Sequence, residues 1–153
     1  PAQGDSSSAA ENLSVSVTYK SVDGRLINPI LLTQGTSFLA EVKISNPGSN
    51  GTYKHLALSQ VFPSGWEIIN ARNSDLAQSV AGSDVFDYQD VRDDRVNTFL
   101  ELAPHQSKRV TVVLMAAWSG RFYLPPVICE AMYDNTIHAR VPGRWVEVAP
   151  AKR

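Results

Sequence analysis

The chain has 153 residues, 43% hydrophobic and 19% charged, with 14 Lys and Arg against 15 Asp and Glu and a formal charge of -1. A chain of this size buries roughly two-thirds of its unfolded surface, enough for one core, and its composition excludes disordered and collagen-like classes. The two signs of charge are interspersed, which excludes long-range attraction to nucleic acid or an anionic membrane, and no apolar run approaches the ~18 residues of a spanning helix.

Residues 1–11, PAQGDSSSAAE, are small and polar, the composition of a linker or frayed terminus. A start at Pro1 without Met suggests a piece of something longer, with any targeting segment upstream. One domain is expected over 12–149, followed by a tail at 150–153. Leu13, Val15, Val17 and Tyr19 alternate with polar residues, the period of two of a half-buried strand, and Phe38, Ala40, Val42 and Ile44 repeat the pattern before Asn46-Pro47-Gly48 ends it. His55–Phe62 alternates again, and Pro63-Ser64-Gly65 separates it from a short Trp66–Ile69 strand. Residues 70–84 read as a long loop with at most one helical turn at Asp75–Gln78.

Val85–Val91 and Val96–Leu102 are the next strands. Lys108–Trp118 is the longest, and Ser119-Gly120 fits a two-residue hairpin turn into Arg121–Leu124. Pro125-Pro126 cannot donate ladder hydrogen bonds, so the strand must end, kink or lie on an edge there. Val127–Tyr133 resumes, Asp134-Asn135 turns, Thr136–Arg140 returns, and Arg144–Val148 closes the domain. Seven to ten short strands without an amphipathic helix predict an all-β, antiparallel immunoglobulin- or fibronectin-like sandwich, with a closed barrel as the alternative.

Catalytic and metal constellations leave no trace at the level of motifs. His55, His105 and His138 lack the i, i+4 spacing of helical zinc ligands, and neither a nucleophile elbow nor a phosphate-cradling loop occurs. The expectation is a non-enzyme without a cofactor. Cys129 is the single cysteine, which excludes a disulfide within the chain and reads as a small buried hydrophobe.

Two stretches remain. In Arg92-Asp93-Asp94-Arg95, either the two Asp occupy a hairpin turn with the Arg pair at its neck, or the segment is continuous strand; both give a compact ion-pair cluster. It is then a solvated turn or a bidentate Arg network at a domain boundary. In Val127–Tyr133, strict alternation puts Val127, Cys129, Ala131 and Tyr133 on one face. Core packing is the ordinary reading for Tyr133, while at the strand end Met132 and Tyr133 also fit a protruding contact pair.

These stretches, Val91–Val96 and Pro125-Pro126 followed by Glu130-Ala131-Met132-Tyr133-Asp134, resemble the C-terminal domain of bacterial α2-macroglobulins. Ala117–Pro125 extends the likeness, because Gly120-Arg121-Phe122-Tyr123-Leu124-Pro125 is similar to that family's G-x-[FY]-x-x-P hairpin. The resemblance implies a macroglobulin-type sandwich within a long, exported, usually periplasmic protease trap, with membrane anchoring through the parent left open. It also implies that Met132 and Tyr133 pack on a thioester domain of the same parent and keep water and amines off its reactive bond. Target proteases would be met only through the full-length protein, the fragment itself being a monomer. Cys129 is followed by Glu130-Ala131-Met132, so it is not the cysteine of the family's Cys-x-x-Gln motif. The competing expectation is a free-standing immunoglobulin-like binding or adhesion module that uses Trp66, Trp118 or Trp145 as an aromatic platform.

Overall fold

The computed structural model describes residues 5–10, 12–69 and 87–151, and the loop with its helical turn expected at 70–84 lies outside them. Within the described residues the regular elements are thirteen strands. They are β1 (Asp5–Ala10), β2 (Leu13–Ser21), β3 (Leu31–Thr33), β4 (Ser37–Ser45), β5 (Tyr53–Val61), β6 (Trp66–Ile68) and β7 (Tyr88–Val91). There follow β8 (Arg95–Leu102), β9 (Ser107–Ala116), β10 (Gly120–Leu124), β11 (Val127–Ala131), β12 (Asp134–Val141) and β13 (Arg144–Ala149). One five-stranded sheet runs β1-β2-β4-β9-β6, a second β12-β11-β5-β8-β7, and a three-stranded sheet β10-β13-β3. Every pairing is antiparallel except β13 with β3. This is the antiparallel sandwich that the alternating sequence pattern predicts.

The core is made by the predicted rows. Val15 and Val17 of β2, Phe38, Val42 and Ile44 of β4 and Leu114 of β9 meet Leu56 and Leu58 of β5 and Leu100 of β8, all in one buried cluster. Full burial of each such side chain contributes about 1.5–3 kcal/mol against its exposed state. Leu39 departs from its expected outward position. It is buried with Val113 on the opposite face, packed by Ile69, whose N–H donates to the Val113 carbonyl at 2.9 Å.

Two local readings are corrected. Asp5–Ala10 is not linker but strand, paired with β2 from Asp5↔Thr18 to Ala10↔Leu13; its polar residues take β form because an edge ladder was open to them. Ser119-Gly120 does not close a hairpin on β9. The chain instead leaves β9, which lies between β4 and β6, and pairs β10 with β13.

The double proline has the effect its chemistry requires. Val127↔Val141 and Leu124↔Arg144 lie on one register, three residues forward on one strand matching three back on the other. β10–β11 and β12–β13 are thus the two arms of one long hairpin. Its ladder breaks where Pro125-Pro126 faces Pro142-Gly143 and then resumes in register. Gly143 is needed there, since a Cβ would stand 2.6 Å from the Leu124 carbonyl oxygen.

Candidate functional site

The tip of this long hairpin is Met132-Tyr133. Ala131 pairs with Asp134, so these two residues are the whole turn, in place of the Asp134-Asn135 turn expected from sequence. Neither adopts a left-handed backbone conformation. Met132 is 53% exposed and Tyr133 81%, so the core reading of Tyr133 fails. Alternation does hold through Ala131, with Val127 and Cys129 buried and Ile128 and Glu130 exposed, but it cannot continue through a reversal of the chain.

Two irregularities aim the tip. On β12 the register slips by three residues between Glu130↔His138 and Ala131↔Asp134, a bulge that bends the strand. Asp134 secures it by accepting from the Thr136 N–H at 3.0 Å and the Thr136 hydroxyl at 2.6 Å, and these hydrogen bonds hold its carboxyl below the usual range. Asn12 then donates to the Thr136 carbonyl at 2.9 Å, and Asn50 donates to the Asn12 side-chain oxygen at 3.0 Å. On β5 one extra residue lies between Tyr53↔Leu102 and Leu56↔Leu100, and His55 within it has φ +57°. Its carbonyl accepts the Met132 N–H at 3.0 Å, and its ring packs T-shaped against that of Tyr133, with 5.3 Å between centroids and 85° between planes.

The tip therefore stands as a ridge between two open grooves. One, of about 370 Å³, is lined by Asn12, Asn50, Tyr53, Lys54, His55 and Tyr133. The other, of about 540 Å³, lies between Ala57, Glu130, Met132 and Asn135. A sulfur side chain and a phenol flanked by hollows suit insertion into a partner surface rather than enclosure of a small ligand.

His55 is a residue to which sequence reasoning gave no role beyond a place in the His55–Phe62 strand. The signal was present: Tyr53 and Leu56 are both buried yet three apart, which a period of two forbids without an inserted residue. The neighbouring loop has its own left-handed histidine, His105 (φ +63°), whose ring occupies the space a Cβ on Gly48 would need. Buried Asn46 ties this corner by donating to the Gly51 and Leu102 carbonyls and accepting from the Gly48 N–H. His138 faces Glu130 across the β11–β12 ladder. Among the described residues no three His, Cys, Asp or Glu side chains gather as metal ligands.

Arg92-Asp93-Asp94-Arg95 forms the β7–β8 hairpin, with the Arg92 N–H donating to the Arg95 carbonyl at 2.8 Å. The two Asp take the turn, as one of the two sequence readings has it. Arg92 pairs with Asp90 at 3.1 Å, and Arg95 grips Asp94 bidentately at 3.0 and 3.1 Å. These are exposed neighbours along the chain, so screening leaves them little net energy and the cluster is a solvated turn within this structure. The Asp94 carbonyl also receives the Phe62 N–H at 2.8 Å, fixing the turn to the body.

The aromatic-platform reading required two exposed indoles on one face. Trp66 is buried against Phe38 and Tyr19, whereas Trp118 and Trp145 are 64% and 54% exposed. Trp145 packs against Tyr123 at 5.6 Å and lies under Arg121 at 4.9 Å. Trp118 stands five residues before Tyr123, where the chain leaves β9 for β10, while Trp145 lies on β13. Cys129 is buried, which pushes its thiol up to about 12, with Glu130 adding to the effect, and leaves it protonated and inert at neutral pH.

The family model "Bacterial Alpha-2-macroglobulin MG10 domain" matches residues 13–135. A Yersinia pestis alpha-2-macroglobulin homolog is 25% identical over 156 residues, covering 88% of this chain and 8% of that protein. Trypsin-activated alpha-2-macroglobulin from Escherichia coli superposes with a TM-score of 0.81 at 18% identity, over 94% of this chain and 11% of that one. The Salmonella alpha-2-macroglobulin mutant Y1175G gives 0.77 at 19% identity, over 94% and 10%. The chain thus spans about a tenth of the relatives it matches. Since the family model covers four-fifths of it, the chain belongs to the bacterial alpha-2-macroglobulin MG10 domain family.

Proposed function

We propose that this chain is a non-catalytic, C-terminal macroglobulin domain of an exported bacterial protease trap, and that it packs through Met132 and Tyr133 against a thioester domain of its own parent. The carrying observation is the tip: an apolar sulfur side chain and a phenol stand largely in solvent, on a turn that two bulges and a relay of hydrogen bonds hold in place. An activated acyl bond survives only while nucleophiles are kept away, and an apolar knob seated over it does that without chemistry of its own. The relatives include an alpha-2-macroglobulin activated by elastase and another reacted with methylamine, which supports a trap that changes state on cleavage and carries a group that amines attack. Release of the shield is then a domain separation, biased by cleavage elsewhere in the parent. The Arg92–Arg95 hairpin is a solvated turn in this arrangement, and the domain by itself is a monomer in the periplasm.

The test is methylamine reactivity of the full-length parent, followed as released thiol. Met132→Ala and Tyr133→Ala each raise the rate if the pair is the shield. Unchanged rates in both remove the shielding role and leave an interdomain packing patch at most.

A further inference from the structure

We propose that His55 is the positioning residue for the Met132-Tyr133 tip, holding the Tyr133 ring in the orientation in which it meets a partner; this rests on the shielding reading above. The tip projects from a two-residue turn with most of its surface in solvent, and a side chain so placed samples several rotamers unless something restrains it. His55 supplies two restraints from a different strand. Its carbonyl accepts the Met132 N–H at 3.0 Å, which fixes the turn, and its imidazole packs T-shaped against Tyr133 at 5.3 Å and 85°, which fixes the ring.

The backbone of His55 argues that the ring is what the position uses. At φ +57° an L side chain is strained, and the bulge alone would be satisfied by glycine. Asn50, Gly51 and Thr52 just upstream show that the loop already uses turn-forming residues where it needs them. A large aromatic side chain kept at a strained position, against the most exposed of the described aromatic rings, is the mark of strain retained for a contact. Lys54 and Asp134 line the same groove, but neither carries a ring to pack against a phenol.

The experiment uses three variants. His55→Asn tolerates the left-handed conformation and keeps the backbone acceptor while removing the aromatic ring. His55→Phe keeps a ring. Tyr133→Phe assigns the Tyr133 signal in the 153-residue chain carrying ring-labelled tyrosine. In His55→Asn the Tyr133 ring resonances are expected to shift toward free-tyrosine positions, and in His55→Phe to stay displaced, with the melting temperature confirming that each variant is folded. In the full-length parent, methylamine reactivity rises about two- to tenfold in His55→Asn and returns toward the original rate in His55→Phe, the scale expected of one aromatic edge contact. Tyr133 resonances unmoved in His55→Asn overturn the proposal, even where Tyr133→Ala raises reactivity and the shielding reading stands. Resonances that move while Met132→Ala and Tyr133→Ala leave reactivity unchanged support the positioning role and sink the shielding reading instead.

Discussion

Gly143→Ala probes the bent hairpin that carries the tip. The added Cβ would lie 2.6 Å from the Leu124 carbonyl oxygen and 2.8 Å from Tyr123 Cζ. Ordinary contact is about 3.5 Å, so the two arms must part by roughly 0.9 Å at the kink. Tyr123 is partly exposed and can swing away, but the carbonyl belongs to the Leu124↔Arg144 pair and cannot move alone. Overpacking of this kind costs about 1–3 kcal/mol, and the stiffer unfolded chain of alanine returns about 0.4–1 kcal/mol. The net loss is therefore about 1.5 kcal/mol, or roughly 3–6 °C in melting temperature for a chain of this length. Thermal melts and urea titrations with unchanged m-value measure it. Placing Gly143→Ala in a Tyr123→Ala background separates the two clashes: the same loss there assigns it to the carbonyl. A melting temperature that stays level or rises in both backgrounds would refute the close approach, and with it the continuity of the hairpin through the prolines.

Other expectations follow from burial and charge. Cys129, with its thiol pushed up to about 12, should resist a thiol reagent at pH 8 and react only as the chain unfolds; rapid stoichiometric labelling of folded protein would contradict its burial. The folded pKa of Asp134 is depressed, so its contribution to stability is complete above the unfolded carboxyl value of about 3.9 and is lost as pH falls through the lower folded value. Asp134→Asn should accordingly flatten the acid limb of stability against pH, and an unaltered limb would mean that the Thr136 contacts carry no linkage. Acrylamide should quench Trp118 and Trp145 while sparing Trp66, which Trp66→Phe reports by difference.

Strand existence was legible wherever one face of a sheet is buried and the other wet. β2, β4, β5, β8 and β9 each alternate, because a period of two is what a half-buried pleat demands. Pairing partners were less so. Ser119-Gly120 has the chemistry of a tight turn, yet which strand the next segment joins depends on a ladder some 25 residues later, about which local residues say nothing. β1 and β3 were missed for the same reason. One is serine-rich and the other three residues long with its ends exposed, so each is a strand only because a partner edge is available. At the candidate site, Met132 and Tyr133 were reached through the resemblance, and alternation alone would have buried Tyr133. The turn overrode the period, and no residue in the segment is a glycine or proline that would have announced it.

That absence is itself informative about the tip. Since neither Met132 nor Tyr133 is left-handed, the turn accepts most residue types, and a small polar pair would suit it without exposing apolar surface. The turn thus does not require the two residues it has, and a local choice that fold stability does not demand is where function is to be sought. Met132→Ser combined with Tyr133→Asn separates the two demands. In the isolated chain, both side chains being largely in solvent, the loss should not exceed the roughly 0.5–1.5 kcal/mol of the Tyr133–His55 ring contact, or about 6 °C in melting temperature. In the full-length parent the same pair should raise methylamine reactivity at least as far as Tyr133→Ala does. A double variant that melts well over about 6 °C lower while leaving reactivity untouched would make Met132 and Tyr133 fold residues after all, held outward for the stability of this domain and nothing else.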